Sequence, residues 1–498
     1  MKTLLSFLLF VLASLALVSC EETGGGGGFV PTGAILAVAE KAGSEETIKV
    51  GGLPGAVPPG STIEVTNLDT GESETTTGAQ DGSFDPTFTG NTDDEFNVLV
   101  TDDGEVVEDI VIGVTLLSDA VKRNLAPLGS VPADIEIRDN RAYVVNGFSD
   151  NIQIFDLNQD PPDLIGTIAV PPGSNPIEMA LLDGTHAYVA NNVGQSAALV
   201  NVETRNCEIL FVEAGHQGTT EPCQEVRVIA GNPFDDPSGV AIANGKVYIS
   251  NDNLLTFSEP NGNGFVAVIR AENNQFVTII QATGAGSTSL IVFGGEIFLV
   301  NAGNVTSTPD FSEFFCDTDF PPSIDIINPQ TDAVTDTIPI PLSEENPLVC
   351  LPDAIAATSD GLAYTGLGLV GALLKFNLVS REVVNGTDDP IVITDTTGLN
   401  FTADVAIRDN LLFTTLFSTD QIAVVDTDTD ELNPFPYIAP FPAGIRAFNP
   451  DSNLFDGVQS LAIRPGEPGV NFTGPDIFFI TGISEQLGSV DSTLGLVE

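Results

Sequence analysis

A five-residue pattern, a small or apolar residue followed by an aromatic, two strand-forming residues and Asn, occurs as AYVVN at 142–146. It returns as AYVAN (187–191), VYISN (247–251) and IFLVN (297–301), and in weaker copies as AYTGL (363–367), LFTTL (412–416) and FFITG (478–482). The aromatic residues of these copies, Tyr143, Tyr188, Tyr248, Phe298, Tyr364, Phe413 and Phe479, lie 45 to 66 residues apart. A unit of that length is one small sheet that cannot bury its own faces, so the copies must stack on one another. Each copy follows a short apolar strand, as in DIEIRD (134–139), GVAIAN (239–244) and DVAIRD (404–409). Each is followed by a strand that often ends in Asp or Asn, as in IQIFDL (152–157), SIDIIN (323–328), LLKFNL (373–378) and IAVVDT (422–427). A fourth strand closes the unit, as in LIGTIAVP (164–171), EVRVIAG (225–231) and TDTIPIP (335–341). Four strands per unit, seven units and almost no helical periodicity predict an all-β chain in which residues 119–498 form a seven-bladed β-propeller.

The motif resembles that of the YVTN-type seven-bladed propellers of bacterial and archaeal surface proteins. Tyr143 to Asn146, Tyr188 to Asn191 and Tyr248 to Asn251 carry the resemblance best, while the last three copies lack the Asn. The Asn residues are expected to be structural, because an Asn at a strand end can bond neighbouring backbone and hold the turn. Alternating strands place the loops between second and third strands on the same face as the connections between blades. The insertions 252–263 and 303–322 and the connections 341–352 and 431–456 therefore share one face. Phe311, Phe314, Phe315 and Phe320 crowd one of these segments, and Phe435 and Tyr437 lie in another, which marks that face as a candidate site for a protein or glycan partner.

Residues 30–118 do not share the repeat. Short strands joined by Gly, Pro and Asp turns predict a small β-sandwich there, and TNLDTGESETTTGAQDGSF (66–84) resembles the hairpins of Ig-like and carboxypeptidase-regulatory-like spacer modules. The first nineteen residues, one Lys and then an apolar run from Leu4 to Val18, read as an export signal too short to span a membrane. Leu17-Val18-Ser19-Cys20 matches the bacterial lipoprotein signal motif, which implies that Cys20 is acylated. Residues 20–29, with Gly24 to Gly28, would then be a flexible tether, and the lipid on Cys20 the only membrane contact. The expected location is the bacterial cell envelope, with the outer membrane as the anchoring surface.

Sixteen basic against 69 acidic residues give a formal net charge of −53, which excludes nucleic acid as a partner. The acid excess suits either a solvated coat or calcium sites in Asp-rich turns. Besides Cys20 the chain has Cys207, Cys223, Cys316 and Cys350, for which three pairings exist; the sequential one is the simplest in an oxidising compartment. Cys207 and Cys223 are expected to bracket a loop between a third and a fourth strand. With only His186 and His216, the chain cannot build a multi-histidine metal centre, and no nucleophile elbow, phosphate loop or dinucleotide fingerprint is present. One constellation remains. Asp134, Glu178 and Asp404 occupy equivalent positions at the starts of inner strands, with Asp236 and Asp353 nearby. Converging on the channel, they would form a hard-cation site for calcium or another divalent ion, able to activate water as in a lactonase-like hydrolase or lyase.

Overall fold

The computed structural model describes residues 35–490 except 40–45, 53–55, 80, 81, 83, 85, 103, 117–120, 257, 258, 308–313, 345, 347, 348, 394–401, 409, 418–420, 431, 433–456, 465–475, 483 and 484. The signal segment, Cys20 and the Gly-rich tether lie outside the described residues. The regular structure is all β.

The N-terminal strands follow the order 73–77, 62–67, 95–102, 105–116, 35–39, 46–52, 87–90. Strand 105–116 joins the two halves, antiparallel to 95–102 and parallel to 35–39. Alternation decides the core. Ile63 and Val65 of one half and Ile48 and Val50 of the other are fully buried, with Phe88 and Phe96 packed at 5.1 Å between them. Asp94, one of the Asp-rich turn residues, is buried and accepts hydrogen bonds from the Asn67 side chain (2.7 Å) and Asn91 N–H (3.0 Å), so its oxygens hold a turn together.

Beyond it, seven sheets succeed one another: blade 1 (132–169), blade 2 (176–229), blade 3 (237–281), blade 4 (287–339), blade 5 (352–392), blade 6 (402–426) and blade 7 (458–490). The innermost strand of each sheet packs against that of the next, and that of blade 7 packs against that of blade 1. The sheets thus close a ring around a channel. The motif strands are the second strand of each blade and read as nearly continuous buried runs, because both faces are covered by neighbouring blades. Closure comes from a segment the repeat does not announce: Val121–Pro127 pairs antiparallel with Gln486–Val490 and supplies the outer strand of blade 7.

Blade 2 departs from expectation. Its fourth strand is Asn206–Glu213, and Glu225–Ile229 is a fifth strand running parallel to it. A parallel neighbour needs a crossover. Residues 214–224 make it, and the Cys207–Cys223 disulfide ties the end of that crossover to the start of the fourth strand. The disulfide therefore brackets an outer return rather than a loop between third and fourth strands. Its span of 16 residues is worth about 3 kcal/mol of loop-closure entropy. The second bridge, Cys316–Cys350, ties the blade 4 insertion to the connection entering blade 5, on the predicted shared face.

The repeat's two sequence signatures prove to be joints between blades. Where a third strand ends in Asn or Asp, that side chain accepts backbone N–H groups of the following turn, as Asn201, Asn377 and Asp426 do. Four residues after the end of the third strand, which in blade 3 is Arg270, the turn adopts positive φ at Arg205, Asn274, Asp332, Arg381 and Asp430. The motif tyrosine of the preceding blade reaches this residue. Tyr188 donates to Asn274, Tyr248 to Asp332 (2.7 Å) and Tyr364 to Asp430 (3.0 Å). Lys246 and Lys375 add ion pairs of 2.7 Å to the same two aspartates. The motif Asn residues Asn146, Asn191, Asn251 and Asn301 are fully buried and bond within their own blades or to the adjoining loop and strand, the structural role expected of them.

Candidate functional site

Pro132, Pro176, Pro237 and Pro352 open four of the innermost strands, where a residue with no N–H costs the ladder nothing. Directly after the first residue, all seven innermost strands carry a bulge against the second strand. A bulge frees backbone N–H groups and re-aims side chains. Asp134, Glu178 and Asp404 follow directly on this bulge, and Asp353 lies within it.

The channel is a cavity of about 650 Å³. Among the described residues, six carboxyl groups line it: Asp134, Glu136, Glu178, Asp252, Asp353 and Asp404. No Lys, Arg, His or Cys among the described residues lines it. Phe148, Asn192 and Asp252, which follow the second strands of blades 1 to 3, line its end on the loop-rich face. Of the expected residues, Asp134, Glu178, Asp404 and Asp353 reach the channel. Asp236 does not; it exchanges hydrogen bonds of 2.9 Å with the Gln195 side chain.

Asp134, Glu178 and Asp404, the residues expected to face a cation, each accept a hydrogen bond from a neighbouring blade. Asp134 accepts the Met179 N–H of blade 2 at 3.1 Å, Glu178 the Val240 N–H of blade 3 at 2.9 Å, and Asp404 the Leu461 N–H of blade 7 at 3.0 Å. Asp404 also takes the Ser460 hydroxyl at 2.6 Å. Each carboxylate is thus turned toward the next blade, and among the described residues no three His, Cys, Asp or Glu side chains are grouped to hold a metal ion. Asp134, Glu178 and Asp404 are braces of the ring.

Their electrostatics follow from that position. Loss of bulk solvation holds Asp134 and Glu178 well above the ordinary carboxylate range, reinforced by Glu136 on Asp134 and by Asp134 on Glu178. Burial also lifts Glu136 to about 7, against the pull of Arg138, and Asp404 to about 6, against its hydrogen bonds from Ser460 and Leu461. Asp252 is raised well above its ordinary value by burial, against a hydrogen bond from Ser238. Asp353 is raised by the same cause but keeps an edge toward channel water, so its shift is the most screened. Such a site can hold and exchange protons near neutrality and can receive cationic or hydroxyl-bearing groups.

Glu136 and Asp252 escaped the sequence reading. Glu136 follows Asp134 by two residues on the same strand and so shares its side, a signal the alternation offered. Asp252 follows the motif Asn of blade 3 and is placed by the turn, which no period encodes.

The aromatic face is only partly described. Phe315 is exposed (40%) on a short hairpin, 305–307 with 314–316, built from the blade 4 insertion. Phe320 is half-buried and lines a hollow of about 340 Å³ with Pro322, Pro339, Ile340 and Leu342. Phe314 belongs to the same hairpin, with its side chain outside the described residues, as are Phe311, Phe435 and Tyr437 altogether. His186 is not in the channel: it sits in a half-exposed polar network with Thr185, Asp183 and Glu208.

No family model matches this sequence, and no curated protein matches it. Solved structures do. Hydrazine synthase from Kuenenia stuttgartiensis is 13% identical with a TM-score of 0.50, over 74% of this chain and 97% of that one. Virginiamycin B lyase from Staphylococcus aureus is 12% identical with a TM-score of 0.50, over 76% of this chain and 99% of that one. Both similarities are of fold, and the fold they share with this chain is the β-propeller.

Proposed function

We propose that this chain is a lipid-anchored propeller of the bacterial cell envelope, held through Cys20, that binds a protein or glycan partner on its loop-rich face. The observation that carries the reading is the coincidence of three features on one face. These are the inserted hairpins of blades 3 and 4, the disulfide that fixes one of them to the ring, and one end of the acidic channel. Insertions placed on a rigid scaffold are where propellers carry recognition, and an acidic channel end favours a partner that presents cationic or hydroxyl groups there. The likeness to YVTN-type surface proteins and the lipoprotein signal motif support the location.

Site-specific photo-crosslinking in envelope preparations tests this. A crosslinker at Phe315 is expected to give discrete adducts, whereas one at Val379, exposed in a turn on the opposite face, is expected to give none. Adducts from Val379 equal to those from Phe315, or none from either, would discard the reading. A second reading is favoured by the channel carboxyls that titrate near neutrality: acid and base catalysis by a lyase or hydrolase, a class that the name virginiamycin B lyase shows a propeller of this fold can house. Turnover that disappears in Glu136→Gln while partner capture persists would favour it.

A further inference from the structure

The channel carboxyls also bear on how the ring itself is held, independently of any partner. Three of the contacts between neighbouring blades close on carboxylates that take a backbone N–H from the next blade, at Asp134, Glu178 and Asp404. All three stand around one cavity with no cationic side chain in its lining among the described residues. We propose that the ring is a proton-linked joint: protons taken up by the channel carboxyls relieve their mutual repulsion and stabilise the closed ring at its axis, and their loss destabilises it there.

The charged groups facing the channel make the case. Blade 1 presents Asp134 and Glu136, with Arg138 beyond Glu136; blade 2 presents Glu178; blade 3 presents Asp252, with Asp235 and Asp236 close enough to act on it. Blade 5 adds Asp353 and blade 6 Asp404. Blades 4 and 7 contribute uncharged groups, Thr288, Ser289, Gln459 and Ser460. Arg138 is the one cation acting on this set among the described residues, and it acts on Glu136. Full ionisation would therefore place six negative charges around a cavity whose walls offer backbone and hydroxyl donors in place of countercharges.

The sign follows from where these groups titrate. Asp404 at about 6, Glu136 at about 7 and the others raised mean that the folded chain binds protons more tightly than the unfolded one, whose carboxyls titrate near 4. The stabilisation is fully present below about pH 4 and is lost as pH rises through about 6 to 7.

Thermal unfolding of the full-length protein in detergent, at constant ionic strength from pH 5 to 8, tests the joint. The proton change on unfolding is read calorimetrically in buffers of different ionisation enthalpy. The variant Glu136→Gln with Asp353→Asn removes two channel charges and leaves the acceptors at 134, 178 and 404 in place. Glu64→Gln with Glu74→Gln removes two exposed charges from the N-terminal sheet and serves as the control. The wild-type Tm is expected to fall by several degrees from pH 6 to 8, the channel variant to flatten that fall and the control to keep it. Unfolding near pH 6.5 is expected to release about one proton or more. Equal slopes in the two variants, or proton uptake on unfolding, would overturn the proposal. The proton count needs only the wild-type protein, so it decides the matter even where the channel variant does not fold.

Discussion

The same residue type joins neighbouring blades at the ring's axis and near its periphery, under opposite conditions. Outside, Asp332 and Asp430 each receive a lysine ammonium and a tyrosine hydroxyl from the preceding blade. Inside, Asp134, Glu178 and Asp404 receive backbone N–H groups and face other carboxyls. A peripheral joint is complete with its countercharge; an axial joint is a set of acceptors whose charge is unbalanced. The lesson is that a carboxylate's contribution to a β-propeller depends on what else the ring places beside it, so equivalent substitutions should differ sharply in effect.

The largest effect is expected outside. Lys375 is only 9% exposed and its partner Asp430 26%, so Lys375→Met strands a charge with reduced access to water and should cost about 3 kcal/mol in denaturant unfolding at pH 7. A loss below about 1 kcal/mol would mean that the pair is effectively solvated and would erase the contrast. Tyr248→Phe removes one hydrogen bond to Asp332 but leaves Lys246 in place, and should cost about 1 kcal/mol. The smallest change is expected inside: Asp404→Asn keeps an oxygen for the Leu461 N–H while removing a charge, and at pH 8 should shift stability by less than about 1 kcal/mol. Destabilisation by Asp404→Asn as large as that by Lys375→Met would show that the two kinds of joint are equivalent.

The parts of this architecture legible in the sequence are those written in short-range alternation. The motif strands around Tyr143, Tyr188, Tyr248, Phe298 and Tyr364 could be read because aromatic and β-branched residues recur with fixed neighbours. The acidic position at 134, 178 and 404 was visible for the same reason. What its side chains bind was not, because a shared position in a repeat fixes no distance between side chains, and the N–H groups they meet lie on innermost strands at the sheet edge, which leaves no compositional mark. In blade 2, Glu225–Ile229 alternates as an outer strand should, so its sequence does not distinguish a fourth strand from a fifth; the strand before it and the cysteine bridge decide that. The segment Val121–Pro127 has no alternation and finds its partner at the far end of the ring, a pairing no local pattern encodes.

That last pairing sets the order in which the molecule can be finished. Strand 121–127 leaves the ribosome before any blade, and its partner 486–490 only after all the others. Until then, six blades can stack as an open arc whose first and last faces are bare. The entropic cost of bringing the ends together rises only with the logarithm of the intervening length, so the closure is thermodynamically mild. Its contact is nevertheless among the most distant in the chain, and such contacts form late and slowly. The open arc is therefore the species in which an apolar blade face and an unpaired strand edge are exposed together, the state in which another molecule could pair in place of the chain's own strand.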